Sequence, residues 1–218
     1  MNKLATENTH TTIGSWALAI DRALQKAGVN PDPIFKELEI DRTSLKNTQL
    51  RIPLIKMWSL WQKAVQVTGD SAFGLSVADC VFSTHLGALL FAVQSSSTLS
   101  EGVDRLIQYA KVVTTVANVT TREEGKDLFL QFESFKGQSS APHEPIDAFM
   151  GLTVNTIRDI LGQADGGITE VRFCHPAPAS IERYTDFFKC PVSFNREKNE
   201  VCIKGEVLNN PLLAANSE

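Results

Sequence analysis

A chain of 218 residues, 43% of them apolar, carries enough material for one large core or two small ones, and disorder is not expected away from its ends. A formal net charge of −4 and the lack of any Lys/Arg cluster argue against these residues wrapping a phosphate backbone themselves. Polar Met1 to Thr12 has no apolar signal core, and no window approaches the roughly 20 apolar residues of a spanning helix, so a cytoplasmic protein with no membrane partner is expected.

The first third reads as helical. After a disordered tail over 1–12, Trp16, Ile20, Ala23, Leu24 and Ala27 recur at helical spacing from Ile13, and Gly28 is a natural stop. Asn30-Pro31-Asp32-Pro33 opens a short helix around Ile34 to Leu38. Pro53 stands at a first helical position, followed by the apolar stripe Leu54, Met57, Trp58, Trp61 and Val65, which ends before Gly69. Shorter helices are expected over Ser71 to Cys80 and His85 to Val93. Thr98-Leu99-Ser100-Glu101 fits a capping box, and the next helix presents Leu99, Val103, Leu106, Ile107 and Ala110 on one side.

The period changes near Val112. β-branched residues run to Thr121, Glu123 to Lys126 forms a turn, and Asp127 to Phe135 alternates as a strand, which predicts a hairpin. A long helix follows from Ile146 to Gly162. Ile168, Val171 and Phe173 then make a strand that two prolines, Pro176 and Pro178, bring to an end. Ser180 can cap a short amphipathic helix with Tyr184, Phe187 and Phe188 on its apolar face, Cys190-Pro191 terminates it, and Val192 to Phe194 with Val201 to Ile203 predicts a closing hairpin. The expected fold is α+β: a helical N-terminal third followed by a small antiparallel or mixed sheet packed against helices, in one domain over 13–212.

The order of these pieces resembles a known family. Arg51-Ile52-Pro53 before a helix, Gly87-Ala88-Leu89-Leu90, Ser95 to Leu99, His175-Pro176-Ala177-Pro178, Tyr184, Phe187-Phe188, Cys190-Pro191-Val192, Phe194 and Leu208-Asn209-Asn210-Pro211-Leu212 together look like the N-terminal effector-binding domain of AraC-type transcription regulators. The resemblance covers most of the chain. It implies a small-molecule effector such as an amino acid, a fatty acid or another carboxylate, and a homodimer. It also implies a pair of helix-turn-helix units beyond Leu212, with residues 213–218 as the start of a linker and DNA bound only through that missing part. The stripe of the helix from Thr98 to Ala110 is the candidate pairing surface.

No enzyme motif stands out. Gly74-Leu75-Ser76-Val77-Ala78 lacks the second glycine of a nucleophile elbow, and no phosphate-binding loop is present. Cys80, Cys174, Cys190 and Cys202 form no C-x-x-C pair and read as core thiols, and the four histidines show no ligand spacing, so neither metal nor cofactor is expected. His175, beside Pro176, reads as a residue that fixes its turn through a backbone hydrogen bond. The remaining chemistry is an apolar pocket with sparse polar groups. Phe82, His85, Leu89, Tyr109, Phe129, Phe149, Asn155, Arg158 and Tyr184 are the candidate lining, with Arg158 able to grip a carboxylate. The rival readings are a haem or gas sensor using His85 or His175, a protein-interaction module and, less favoured, a small enzyme.

Overall fold

The computed structural model describes residues 10–81, 88–116, 118–133, 141–178 and 181–212. Its front layer contains β1 (Thr11–Ile13), α1 (Ser15–Lys26), α2 (Asp32–Glu37), β2 (Arg51–Pro53), α3 (Leu54–Thr68) and α4 (Phe73–Ala78). There follow α5 (Ala88–Gln94), α6 (Leu99–Val113), β3 (Asn118–Glu124), β4 (Asp127–Glu133), α7 (Glu144–Leu161), β5 (Ile168–Arg172), α8 (Ile181–Phe188), β6 (Val192–Ser193) and β7 (Asn199–Ile203). The fold is α+β, as expected.

Local chemistry sets most boundaries. Thr98 accepts a hydrogen bond from the Glu101 amide at 3.3 Å, while the Glu101 carboxylate reaches back to the Ser97 amide at 2.7 Å. One orphan donor of α6 and the amide just before its cap are thereby satisfied. Gly162 ends α7 in the left-handed region, a conformation that only glycine adopts without strain.

Three expectations change. Thr11 and Thr12 belong to the domain rather than to a tail, because β1 pairs antiparallel with β2 in the register Thr12 to Ile52. Val112 and Val113 are helical despite their β-branching: Val113 falls on the same side of α6 as Leu99, Val103, Leu106 and Ala110, and all five are buried. Burial on a continuous stripe outweighs propensity. That stripe is therefore interior, and the side of α6 left at the surface carries Asp104, Gln108, Tyr109, Lys111 and Val112.

The third change concerns the closing hairpin. The five strands lie in the order β3-β4-β7-β5-β6, so β5 separates the two strands that sequence pairs. β6 runs parallel to β5 through Val171 and Val192, whereas β7 is antiparallel to both β4 and β5. The turn residues Asn195 and Arg196 instead donate their amides to the carbonyls of His175 and Phe173, wrapping the end of β5.

Alternation along β4 divides the sheet. Leu128, Leu130 and Phe132 join the main core beneath α7, while Phe129 and Gln131 face the other way. On that reverse side Glu200 accepts from Gln131 at 2.7 Å and pairs with Arg122 and Arg172 at 3.4 and 3.1 Å. The helices pack closely on the core side. A methyl group at Gly74 of α4 would stand 2.5 Å from the Glu144 carbonyl oxygen and 2.7 Å from Asp147 Cβ of α7, so glycine permits their contact.

Candidate functional site

The helical third and the start of α7 enclose an apolar cleft of about 90 Å³. α3 supplies Leu54, Met57, Trp58 and Trp61, spaced i, i+3, i+4 and i+7 so that all four share one side of the helix. α1 contributes Trp16, β1 Thr12, the segment after α6 Thr114 and Val116, and α7 Pro145, Ile146 and Phe149. The rim, with Trp58, Ala141, Pro142 and Ile146, is only half-buried, whereas Trp16, Trp61 and Phe149 are buried at the back. All three tryptophans of the chain line this one cleft.

Its floor is built from edge contacts between rings. Trp16 lies 6.5 Å from Trp61 and 6.4 Å from Phe149, the latter at 83°, and Phe149 stands edge-on to Phe132 of β4 at 5.5 Å. Such geometries are favourable beyond the area they bury. Polar side chains are sparse. The Thr12 hydroxyl donates to the Val113 carbonyl at 3.0 Å, and the Thr114 Oγ1 is buried without a hydrogen-bond partner. Among the described residues, no charged side chain lines the wall.

A smaller cavity of about 30 Å³ lies among α5, α6, α7 and β4, lined by residues such as Leu89, Val93, Leu106, Leu130 and Ile157. Phe149 borders both spaces. The hydroxyls of Thr153 and Thr156 in this second cavity donate, at 2.8 Å, to carbonyls of their own helix, leaving a wall that is apolar in effect.

The seven described residues among the nine candidates do not converge on one site. Phe82 and His85 lie outside the described residues. Leu89 and Phe149 meet at the small cavity. Tyr109 sits on the outside of α6, 40% exposed. Phe129 is on the reverse side of the sheet beneath the guanidinium of Arg122, 3.9 Å from its ring, with that of Arg172 at 5.2 Å. Asn155 and Arg158 border a polar groove with Asp79 and Asp159. Arg158 donates to the last carbonyls of α8, those of Phe187 and Phe188, and burial pushes its pKa down. Its terminal nitrogens are thus occupied as a helix cap.

Tyr184 belongs to a buried polar cluster on the far side of α7. Asp147, fully buried, accepts from the Tyr184 hydroxyl at 2.8 Å and from His175 Nε2 at 2.8 Å. His175 Nδ1 lies 2.8 Å from the Pro176 carbonyl, so both ring nitrogens face acceptors and the imidazolium satisfies both bonds. Burial alone would lower the His175 pKa, but the hydrogen bond and charge of Asp147 and the Pro176 carbonyl outweigh it and raise the value above the ordinary one. Burial, reinforced by the neighbouring Asp147 charge, pushes the Tyr184 phenol well up. The His143 ring stacks 4.6 Å from His175, and Glu144 is buried alongside with Oε2 unpartnered. The turn-fixing role expected of His175 is thus joined by a link to α7, and neither nitrogen is free for a haem iron. Among the described residues no three His, Cys, Asp or Glu side chains form a metal-binding group, and no helix is long and apolar enough to cross a membrane. No disulfide forms: Cys80 and Cys202 are buried, Cys190 half-buried and Cys174 exposed.

Sequence reasoning placed Trp16, Trp58 and Trp61 in helix stripes and left them out of the candidate lining. The available signal was concentration, since every tryptophan falls within the first 61 residues.

An α+β domain with an apolar, aromatic-walled cleft and one free hydroxyl is the architecture of a small-molecule sensor. The family model for the arabinose-binding domain of AraC transcription regulators, N-terminal part, matches residues 28–212. The chain belongs to that family, and it is an effector-sensing regulatory domain. The ornithine utilization regulator of Pseudomonas aeruginosa is 21% identical over 203 residues, which cover 93% of this chain and 59% of that protein. The crystal structure of transcriptional regulator CdpR from Pseudomonas aeruginosa aligns with a TM-score of 0.68 at 15% identity, over 93% of this chain and 58% of CdpR, a likeness of fold. The chain thus spans about three fifths of the length of each.

Proposed function

We propose that the effector of this domain binds in the tryptophan-walled cleft, and that its occupancy controls a helix-turn-helix DNA-binding domain attached after Leu212 in the whole regulator. The observation that carries the assignment is the gathering of all three tryptophans on one cleft, whose lining also includes Thr114 with its buried, unpartnered hydroxyl. A buried polar atom without a partner costs about 1–3 kcal/mol, and an incoming ligand group can relieve that cost. The cleft walls come from α1, α3, α6 and α7, so a ligand that draws them together favours one arrangement of the domain over another. Only its differential affinity for the two arrangements does regulatory work. Pairing of two copies, as in a homodimeric regulator, falls in this reading to surfaces other than the buried stripe of α6.

The test is a metabolite screen read two ways, by thermal shift and by tryptophan emission. A ligand at about 100 times its dissociation constant adds roughly 2.7 kcal/mol to stability. The effector is expected to raise the melting temperature and to shift emission together, and in the full-length regulator to change operator affinity. A stabilising ligand that leaves the emission untouched binds elsewhere and overturns the cleft assignment.

A further inference from the structure

We infer that the effector is an uncharged, elongated, largely apolar molecule with one terminal hydrogen-bonding group, and that Phe149 sets the length it can have. The inference rests on the cleft being the effector site. Among the described residues, neither the cleft nor the small cavity is lined by any Asp, Glu, Lys, Arg or His. A diamino acid such as ornithine would bring charges inside with no partner, and buried charges require one. A sugar meets a similar obstacle. A pentose presents a hydroxyl on nearly every carbon, while among the described residues the only side-chain hydroxyls on the cleft wall are those of Thr12, already donating, and Thr114. A single polar end against Thr114 and an apolar body among Trp16, Trp58 and Trp61 match what the wall offers.

Length follows from Phe149. Among the described residues it is the one lining both spaces, held edge-on between Trp16 on the cleft side and Phe132 of the sheet. The phenyl ring is therefore a partition: with it in place the ligand ends in the cleft, and without it one longer chamber runs from Trp58 to the leucines beneath α5 and α6.

The primary alcohols from butanol to decanol are the probes, titrated against the wild-type chain, Phe149→Ala and the better-filled Phe149→Leu, with tryptophan emission and melting curves as readouts. Each methylene that enters the cleft is expected to tighten binding about fourfold. In the wild type this gain stops at a definite chain length. It continues for several further carbons in Phe149→Ala and for fewer in Phe149→Leu, and circular-dichroism melts establish that both variants are folded. Alcohols that bind all three proteins with the same limiting length overturn the partition while leaving the cleft assignment standing. L-Ornithine or L-arabinose shifting tryptophan emission where no alcohol does overturns the ligand class. A stabilising metabolite with no effect on emission fails the cleft assignment itself.

Discussion

Two side chains carry consequences out of proportion to their size. The Thr114 hydroxyl is buried beside the cleft with nothing to bond, so the free chain bears its desolvation cost. Thr114→Val keeps the shape and removes that atom, and is expected to raise the unfolding free energy by about 1 kcal/mol in urea denaturation while weakening binding of an alcohol relative to an alkane of equal length. His175 works in the opposite sense. Its folded pKa is raised above the unfolded value near 6.5, so the native state holds the proton more tightly. The resulting stabilisation is complete below about pH 6.5 and is lost as pH climbs through the raised folded value. Melting temperature should therefore fall from slightly acid to alkaline pH, and His175→Gln should flatten that slope; equal slopes in the two proteins would refute the link. The groups facing it, His143, Glu144, Asp147 and Tyr184, are unchanged in that comparison.

At the scale of elements, α7 is the member everything else depends on. One side of it walls the cleft through Pro145, Ile146 and Phe149, another holds the Asp147 cluster, and its start is pressed against α4 at Gly74. Gly74→Ala must push α4 away from backbone atoms that have little room to yield, and about 1–3 kcal/mol of destabilisation is expected in chemical denaturation. Most helices were legible in the sequence, because their stripes and caps are local: Leu54 to Trp61, the Thr98 capping box and Gly162 all stand where the pattern puts them. What local pattern could not supply was partner choice. Val192-Ser193 looks like half of a hairpin, yet pairs with Val171 and Arg172 across a helix, a decision made by the core beneath β5 and not by the turn.

For the molecule as a whole, the candidate site was the least legible feature. Apolar stripes announce burial without saying whether the buried side meets another helix or an empty space, so Trp58 and Trp61 stood only as members of a stripe while more distinctive residues drew notice. Of the predicted lining that the structure describes, Phe149 alone reaches the cleft, and Arg158, chosen for its charge, turns out to close the end of α8. Charge on an apolar helix signals a required partner, and a backbone carbonyl answers that need as well as a ligand does.

The short strand β1 joins parts of the chain that are remote from one another. Thr12 donates to the Val113 carbonyl 101 residues away, and Thr11 exchanges bonds with Thr115, closing the front helices onto the segment that leads into the sheet. Contacts of such separation reward the chain only after a long loop has been closed, and they slow folding accordingly. On the ribosome α1 and α3 emerge early but have no finished cleft to line until α7 follows, which leaves three indoles without their final neighbours through much of synthesis. The cleft is thus completed late, as a property of the nearly finished domain.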